Sequence, residues 1–144
     1  MIYDVITVKT NETVRNLLRK LVENKIGGVP VVDQSEKLVG MISDGDVIRA
    51  LAPKEKTIID FYTMVFLLEK QEIKESISKM VNESVEKIMT NRRLDFVYPD
   101  DDFEKALTIL SRHHYKKIPV INRAGRVVGV ISRGDAIRFI NQQL

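Results

Sequence analysis

A chain of 144 residues, 44% of them hydrophobic, is long enough to bury the core of one domain or of two small ones. Its 23 lysines and arginines nearly balance its 20 aspartates and glutamates, so the net charge of +3 does not by itself indicate nucleic-acid binding. The absence of cysteine excludes disulfides, thiolate metal sites and cysteine nucleophiles.

The chain begins with predicted strand residues 5–8, followed by Asn11 and Thr13, polar residues able to cap a helix. The opening residues show no basic region followed by an apolar one, and so no secretory signal. An amphipathic helix comes next, because apolar residues recur at helical spacing. Its apolar stripe consists of Val14, Leu17, Leu18, Leu21 and Val22.

Two short β-rich runs, 29–32 and 38–42, follow and are separated by the polar residues 33–37, which predicts a hairpin. The unbroken apolar run 38–42 favours a strand covered on both faces. A last helix is expected to begin near Gly45, with Val47, Ile48 and Leu51 available for burial.

Residues 53–84 are rich in lysine and glutamate, contain no glycine, and have apolar residues at roughly helical spacing. We expect one long or two short helices, packed on the rest of the chain or on a second subunit. Alternatively, residues 61–68 form an exposed docking face for a partner protein. The most apolar stretch, residues 58–68, is too short for a membrane helix, which needs roughly 20 residues, so we expect a soluble, cytoplasmic protein.

The remainder of the chain repeats its beginning. Residues 97–138 match residues 8–49 at a constant offset of 89, with 13 identities in 42 positions. The second copy has its own hairpin, 118–121 and 127–131, and a last helix near Gly134 in which Ile137, Phe139 and Ile140 are available for burial. Its first helix, after three aspartates whose charge suits a helix N-terminus, has the stripe Phe103, Ala106, Leu107 and Leu110. Residues 85–89 look like a lead-in to this copy.

Each copy is a βαββα unit of roughly 55 residues, which is marginal as an independent domain. We therefore predict an α+β fold in which two such repeats, with small mixed sheets, pack around a pseudo-two-fold axis and create two equivalent clefts. The predicted boundaries are residues 1–52 for the first repeat, 53–84 for the helical insert and 85–144 for the second repeat.

The most distinctive shared motif is a strand that leads through Ser-x-x-Asp into a helix, ending at Asp46 in one copy and at Asp135 in the other. One interpretation is a capping box, in which the serine and the aspartate satisfy backbone N–H groups. The other is a ligand site, because a carboxylate at such a turn can accept hydrogen bonds from ribose hydroxyls and a helix N-terminus attracts phosphate.

This arrangement resembles a tandem pair of CBS domains, also called a Bateman module. The resemblance rests on the strands Val-Pro-Val-Val-Asp and Ile-Pro-Val-Ile-Asn and on the doubled Gly-h-h-Ser-x-x-Asp turn, and it covers roughly 100 of the 144 residues. It implies a non-catalytic regulatory sensor that binds AMP, ADP, ATP or S-adenosylmethionine in its clefts. It also implies a homodimer, which signals to an effector protein that the sequence does not identify.

The resemblance assigns site residues by position. It places ribose and phosphate contacts on Ser43, Asp46, Ser132, Asp135, Lys116, Lys117 and Arg133, and an adenine pocket on Ile6, Gly28, Val29, Ile42, Ile118 and Ile131. Gly27 and Gly28 stand where the second copy has two lysines, so we expect unequal clefts, with the stronger nucleotide site in the second repeat. The two lysines are alternatively a solvated strand edge. Arg49 and Arg138 either pair with acids or face the clefts.

Other functions find less support. No Walker, Gly-x-Gly-x-x-Gly or Gly-x-Ser-x-Gly motif is present, so we expect no enzyme. A metal site at His113 and His114 lacks partner ligands at useful spacing, and the histidines are expected at the surface. The main alternative is a structural or protein-interaction module without a ligand, whose Ser-x-x-Asp turns only cap helices. Nucleic-acid binding rests only on the basic residues near the clefts, and no membrane contact is expected.

Overall fold

The computed structural model describes residues 5–52, 73–89, 94–112 and 116–144. In the first repeat, strand β1 (Val8–Lys9) precedes helix α1 (Val14–Asn24), strands β2 (Gly28–Val32) and β3 (Leu38–Ser43), and helix α2 (Asp44–Leu51). Helix α3 (residues 73–80) and a single 3-10 turn (Val85–Lys87) follow. The second repeat contains helix α4 (Phe103–Leu110), strands β4 (Lys117–Ile121) and β5 (Val127–Ser132), and helix α5 (Arg133–Gln142).

The α+β architecture with small mixed sheets is confirmed. In the first repeat β1 runs parallel to β2, which pairs antiparallel with β3. In the second repeat β4 and β5 form the equivalent hairpin, and Val97 makes a single parallel bridge to Val120. That bridge occupies the position of the Val8–Val31 pair in the first repeat. The first strand was expected at residues 5–8, but strand pairing begins only at Val8.

The helices bury the predicted stripes with exceptions at their margins. Thr13 caps α1, as expected, by accepting a hydrogen bond from the amide of Asn16 at 3.2 Å. Val22 is exposed, because it lies at the edge of the stripe and outside the first core. In α4 Ile109 is buried, whereas Leu107, which we expected inside, is partly exposed.

Strand β3 is covered less completely than its apolar sequence indicated. The strand was expected to be buried on both faces, but Val39 is exposed and only Gly40 and Ile42 are buried. Strand β2, by contrast, is buried at every position, and residues 118–121 of the equivalent strand β4 are buried as well. The first strand of each hairpin therefore has the coverage on both faces that a continuous apolar run predicts.

Residues 80–89 pack on the first repeat. Met80 and Val85 belong to its core, and Ile88 and Met89 pack against that core. The amide of Val85 donates to the carbonyl of Glu12 at 2.9 Å. The segment that we expected to lead into the second repeat thus completes the first one. The end of the insert follows the expectation that it covers the repeats, whereas the predicted docking face at 61–68 lies outside the described residues.

The two repeats meet at equivalent positions. Lys37 and Arg126, which are 89 residues apart, form an antiparallel bridge, and the amide of Leu38 donates to the carbonyl of Gly125 at 2.9 Å. At the other end of the hairpins, the Nζ of Lys117 lies 3.4 Å from the carbonyl oxygen of Gly28, again an equivalent position. Contacts between equivalent residues mark a pseudo-two-fold axis, as the repeat predicted.

Both hairpin turns have the same conformation. In each, the side chain of the first residue, Asp33 or Asn122, accepts hydrogen bonds from amides two and four residues later. The residue at the fourth position of each turn has a left-handed backbone, with φ of 64° at Glu36 and 83° at Gly125. Only glycine adopts this conformation without a steric penalty.

Exchanging these two residue types is therefore expected to have opposite effects. Gly125→Ala should lower the free energy of unfolding by about 1 kcal/mol, since a Cβ there meets only ordinary contacts with Lys37 and the penalty is conformational. Glu36→Gly should raise it by up to about 1 kcal/mol. Urea unfolding of the two variants measures both. Equal shifts of the same sign would show that backbone strain does not decide stability here.

Candidate functional site

The first Ser-x-x-Asp turn joins β3 to α2 as a complete capping box. The amide of Ser43 donates to Oδ2 of Asp46 at 2.9 Å, and the hydroxyl of Ser43 accepts from the amide of Asp46 at 3.4 Å. Arg49 donates to Oδ1 of the same carboxylate at 2.9 Å. Asp46 is 8% exposed. The carboxylate is therefore held in one orientation at the start of the helix.

The second turn repeats this geometry between β5 and α5. The amide of Ser132 donates to Oδ2 of Asp135 at 2.8 Å, and the Ser132 hydroxyl accepts from the amide of Asp135 at 3.2 Å. Arg138 donates to Oδ1 at 2.6 Å. Burial raises the pKa of Asp135, but hydrogen bonds from the Ser132 amide, Arg138 and the Ser132 hydroxyl outweigh it and lower the pKa to about 2. Asp135 is thus an anion at neutral pH.

The sheet register brings the expected flanking residues to these turns. Gly28 lies opposite Ser43, and Lys117 lies opposite Ser132. One residue earlier, the carbonyl of Gly27 accepts from the amide of Asp44 at 2.8 Å, and that of Lys116 accepts from the amide of Arg133 at 3.3 Å. Each turn and its flanking pair therefore share one end of a hairpin. Arg133 also donates to the carbonyl of Arg112 at 3.2 Å.

The apolar residues expected around the adenine differ in burial. Val29, Ile42 and Ile118 are fully buried in the two cores, so a bound ligand could reach their backbone but not their side chains. Ile6 is half-buried against the first core. Ile131 is half-buried and borders a cavity of about 170 Å³ together with Val97 and Phe103, among others.

A larger groove of about 490 Å³ lies in the second repeat between residues 94–96 and helix α4. Sequence reasoning did not single out its charged residues, Asp95, Lys105 and Arg112. Arg112 pairs with Asp95 at 3.0 Å, and the same residue's carbonyl accepts from Arg133. Arg112 therefore connects this groove to the second turn. The offset of 89 between the repeats could have pointed to Asp95, because Asp95 occupies the position equivalent to Ile6, a residue expected at the adenine pocket.

No group of three metal-ligating side chains occurs among the residues that the structure describes. His113 and His114 lie outside these residues. Within the described ranges, no helix is long and apolar enough to cross a membrane.

Comparison with known proteins gives a consistent match. The family model for the CBS domain matches residues 1–53 and 85–142. The CBS domain-containing protein CBSX1 of Arabidopsis thaliana chloroplasts is 33% identical over 139 residues, which are 94% of this chain and 58% of CBSX1. This chain thus spans little more than half of that relative.

Solved structures show the same architecture. The structure of Arabidopsis thaliana CBSX2 in complex with AMP has a TM-score of 0.70 and 27% identity, and the match covers 96% of this chain and 89% of that one. The CBS domain pair of MJ0100 in complex with 5′-methylthioadenosine and S-adenosylmethionine has a TM-score of 0.71 over 100% of this chain and 94% of that one. Its identity is only 21%, so it shows the fold alone.

Proposed function

Because this chain belongs to the CBS domain family, we propose that it is a regulatory module and not an enzyme, and that it reversibly binds an adenine nucleotide or S-adenosylmethionine. The ligand binds at the Ser-x-x-Asp turns, and its occupancy is passed to a separate effector protein. The binding of AMP by the relative CBSX2 supports this proposal.

The second turn supports the proposal most directly. The ionised carboxylate of Asp135 is held at the N-terminus of α5, at the same hairpin end as Lys116 and Lys117. A carboxylate accepts hydrogen bonds from the two ribose hydroxyls, and lysines and arginines neutralise phosphate. The same hairpin end thus offers complementary groups to both polar parts of a nucleotide.

The ion pair of Asp135 with Arg138 does not block such a ligand. The side chain of Arg138 is 69% exposed, whereas that of Asp135 is 13% exposed. Ribose hydroxyls that replace the guanidinium on this carboxylate would leave the Arg138 cation in solvent, while the Ser132 contacts keep the carboxylate in place.

Occupancy of the cleft can be transmitted through Lys117. Its ammonium contacts the carbonyl of Gly28 across the pseudo-two-fold axis. A phosphate that recruits this ammonium would weaken the contact between the repeats and shift their packing, within the limit set by its different affinities for the two arrangements.

We also propose that the module forms a homodimer. Ile48 and Ile137 are equivalent residues of α2 and α5, and each is 65% exposed. Phe139 and Ile140 add exposed apolar surface to α5. We expected these side chains to be buried, and a second copy would cover them. The cytoplasm remains the expected compartment.

One observation favours the alternative of a module without a ligand. Both turns form complete capping boxes, which is what purely structural Ser-x-x-Asp motifs would do. In the ligand-binding module the carboxylates of Asp46 and Asp135 bind ribose as well as capping helices, whereas in the structural module they only cap helices.

Calorimetric titration of AMP and S-adenosylmethionine into wild type, Asp46→Ala and Asp135→Ala separates them. We expect saturable binding of AMP that Asp135→Ala weakens at least tenfold, and more than Asp46→Ala does. Thr13→Ala is the matched control, because Thr13 caps α1 by accepting from the amide of Asn16 at 3.2 Å but lies outside both turns. It should lose stability without losing affinity. Folded wild-type protein that binds neither compound at millimolar concentration would favour the structural module.

A further inference from the structure

The two Ser-x-x-Asp turns carry different charges at equivalent positions. Gly27 and Asp44 of the first repeat correspond to Lys116 and Arg133 of the second. The backbone joins each pair, since the amide of Asp44 donates to Gly27 and that of Arg133 donates to Lys116. The first pair has a charge of −1 and the second a charge of +2. Equivalent places in the two clefts therefore differ by three charges.

The side chain of Asp44 lies close to Gly27 and occupies the space that a side chain at residue 27 would need. Oδ1 of Asp44 accepts from the amide of Gly45 at 2.7 Å. Its Oδ2 lies 3.1 Å from the position that a Cβ on residue 27 would occupy. A side chain at residue 27 would have to move this carboxylate. The carboxylate thus occupies the side of the turn where the second repeat has the side chain of Lys116.

The other charges at the turns do not cancel this difference. Asp46 pairs with Arg49, and Asp135 pairs with Arg138 in the same way, so these contributions are alike in both repeats. Lys117 is shared, because its backbone lies in the second repeat and its ammonium contacts Gly28 of the first. The two clefts therefore differ because the first has the carboxylate of Asp44, whereas the second has the cations of Lys116 and Arg133.

From this difference we infer that the two clefts select ligands by charge. The second cleft takes adenosine compounds with a 5′-phosphate, whereas the first takes adenosine compounds whose 5′ substituent is uncharged or cationic. Asp44 repels a phosphate dianion but attracts a sulfonium group and tolerates a thioether. This inference rests on the proposed function and assigns each cleft its ligand class.

Calorimetric titration with AMP, 5′-methylthioadenosine and S-adenosylmethionine tests the selection. Wild type is expected to bind one AMP per chain. 5′-Methylthioadenosine should still bind when AMP is saturating, and its binding should survive Asp135→Ala but not Asp46→Ala. In Asp44→Arg, and in Gly27→Lys/Asp44→Arg, which copies the second turn, the stoichiometry of AMP should rise to two. The affinity of the first cleft for S-adenosylmethionine should fall about tenfold.

Glu104→Arg is the control, because it makes the same change of charge at an exposed position near the start of α4. It should leave all three titrations unchanged, and thermal unfolding checks that every variant is folded. Two equivalent AMP sites in wild type, or an AMP stoichiometry that Asp44→Arg does not alter, would overturn charge selection and leave the proposed function intact. Failure of all three compounds to bind folded wild type would overturn the proposed function itself.

Discussion

Leu17→Ala is expected to lower the free energy of unfolding by about 2–5 kcal/mol. Leu17 is 0% exposed and belongs to the core of the first repeat, where strand residues such as Val29 and Ile42 are also buried. Truncation removes the transfer free energy of the side chain and leaves a cavity. This core also contains Met80 and Val85, so the loss affects the attachment of the connecting segment as well as α1. Urea unfolding followed by circular dichroism measures it.

Val22→Ala is the matched control for this substitution. Val22 lies in the same helix but is 76% exposed, so its truncation should change stability by no more than about 0.5 kcal/mol. Equal losses in the two variants would mean that the apolar stripe of α1 does not pack as described.

Acid is expected to destabilise the protein through Asp135. The hydrogen bonds from Ser132 and Arg138 lower its pKa to about 2 in the folded protein, from the ordinary aspartate value of 3.8. A lowered folded pKa contributes stability that is complete above the unfolded pKa and is lost as the pH falls through the folded pKa. The contribution of roughly 2 kcal/mol should therefore disappear between about pH 4 and pH 2.

Asp135→Asn isolates this effect from the other acids. The pKa of Asp101 is also lowered, first by the hydrogen bond from the amide of Tyr98 and then by Lys105, so wild type loses stability in acid for more than one reason. The informative quantity is the difference between wild type and variant in urea unfolding from pH 5 to pH 2. That difference should shrink as the pH falls, and a constant difference would refute the role of the Asp135 carboxylate.

Much of the fold followed from local patterns. The doubled motif predicted both hairpins and the helices that follow them, because turn residues and apolar periodicity act within a few residues. Local patterns failed to predict burial where it depends on parts of the chain that are distant in sequence. The exposure of Val22 and Val39 depends on which elements cover them, and the attachment of Val85 to the first core depends on packing between segments far apart in sequence.

The candidate site divides in the same way. The register of an antiparallel hairpin places Lys117 beside Ser132 once the strands are recognised, so this proximity could be read from the sequence. The burial of Ile118 and Ile42 could not be read from the sequence, because a strand residue near a cleft can face either the ligand or the core. The contact of Lys117 with Gly28 also required the three-dimensional arrangement of the two repeats.

The contact of Lys117 with Gly28 also bears on how two halves of one chain came to be different. A second repeat that paired with a copy of itself would place two Lys117 ammonium groups near its own symmetry axis, where like charges repel. Glycine on one side removes the second ammonium, and its backbone carbonyl accepts the one that remains. The two halves are therefore matched to each other rather than to themselves, as in an obligate heterodimer whose subunits have been joined in one polypeptide.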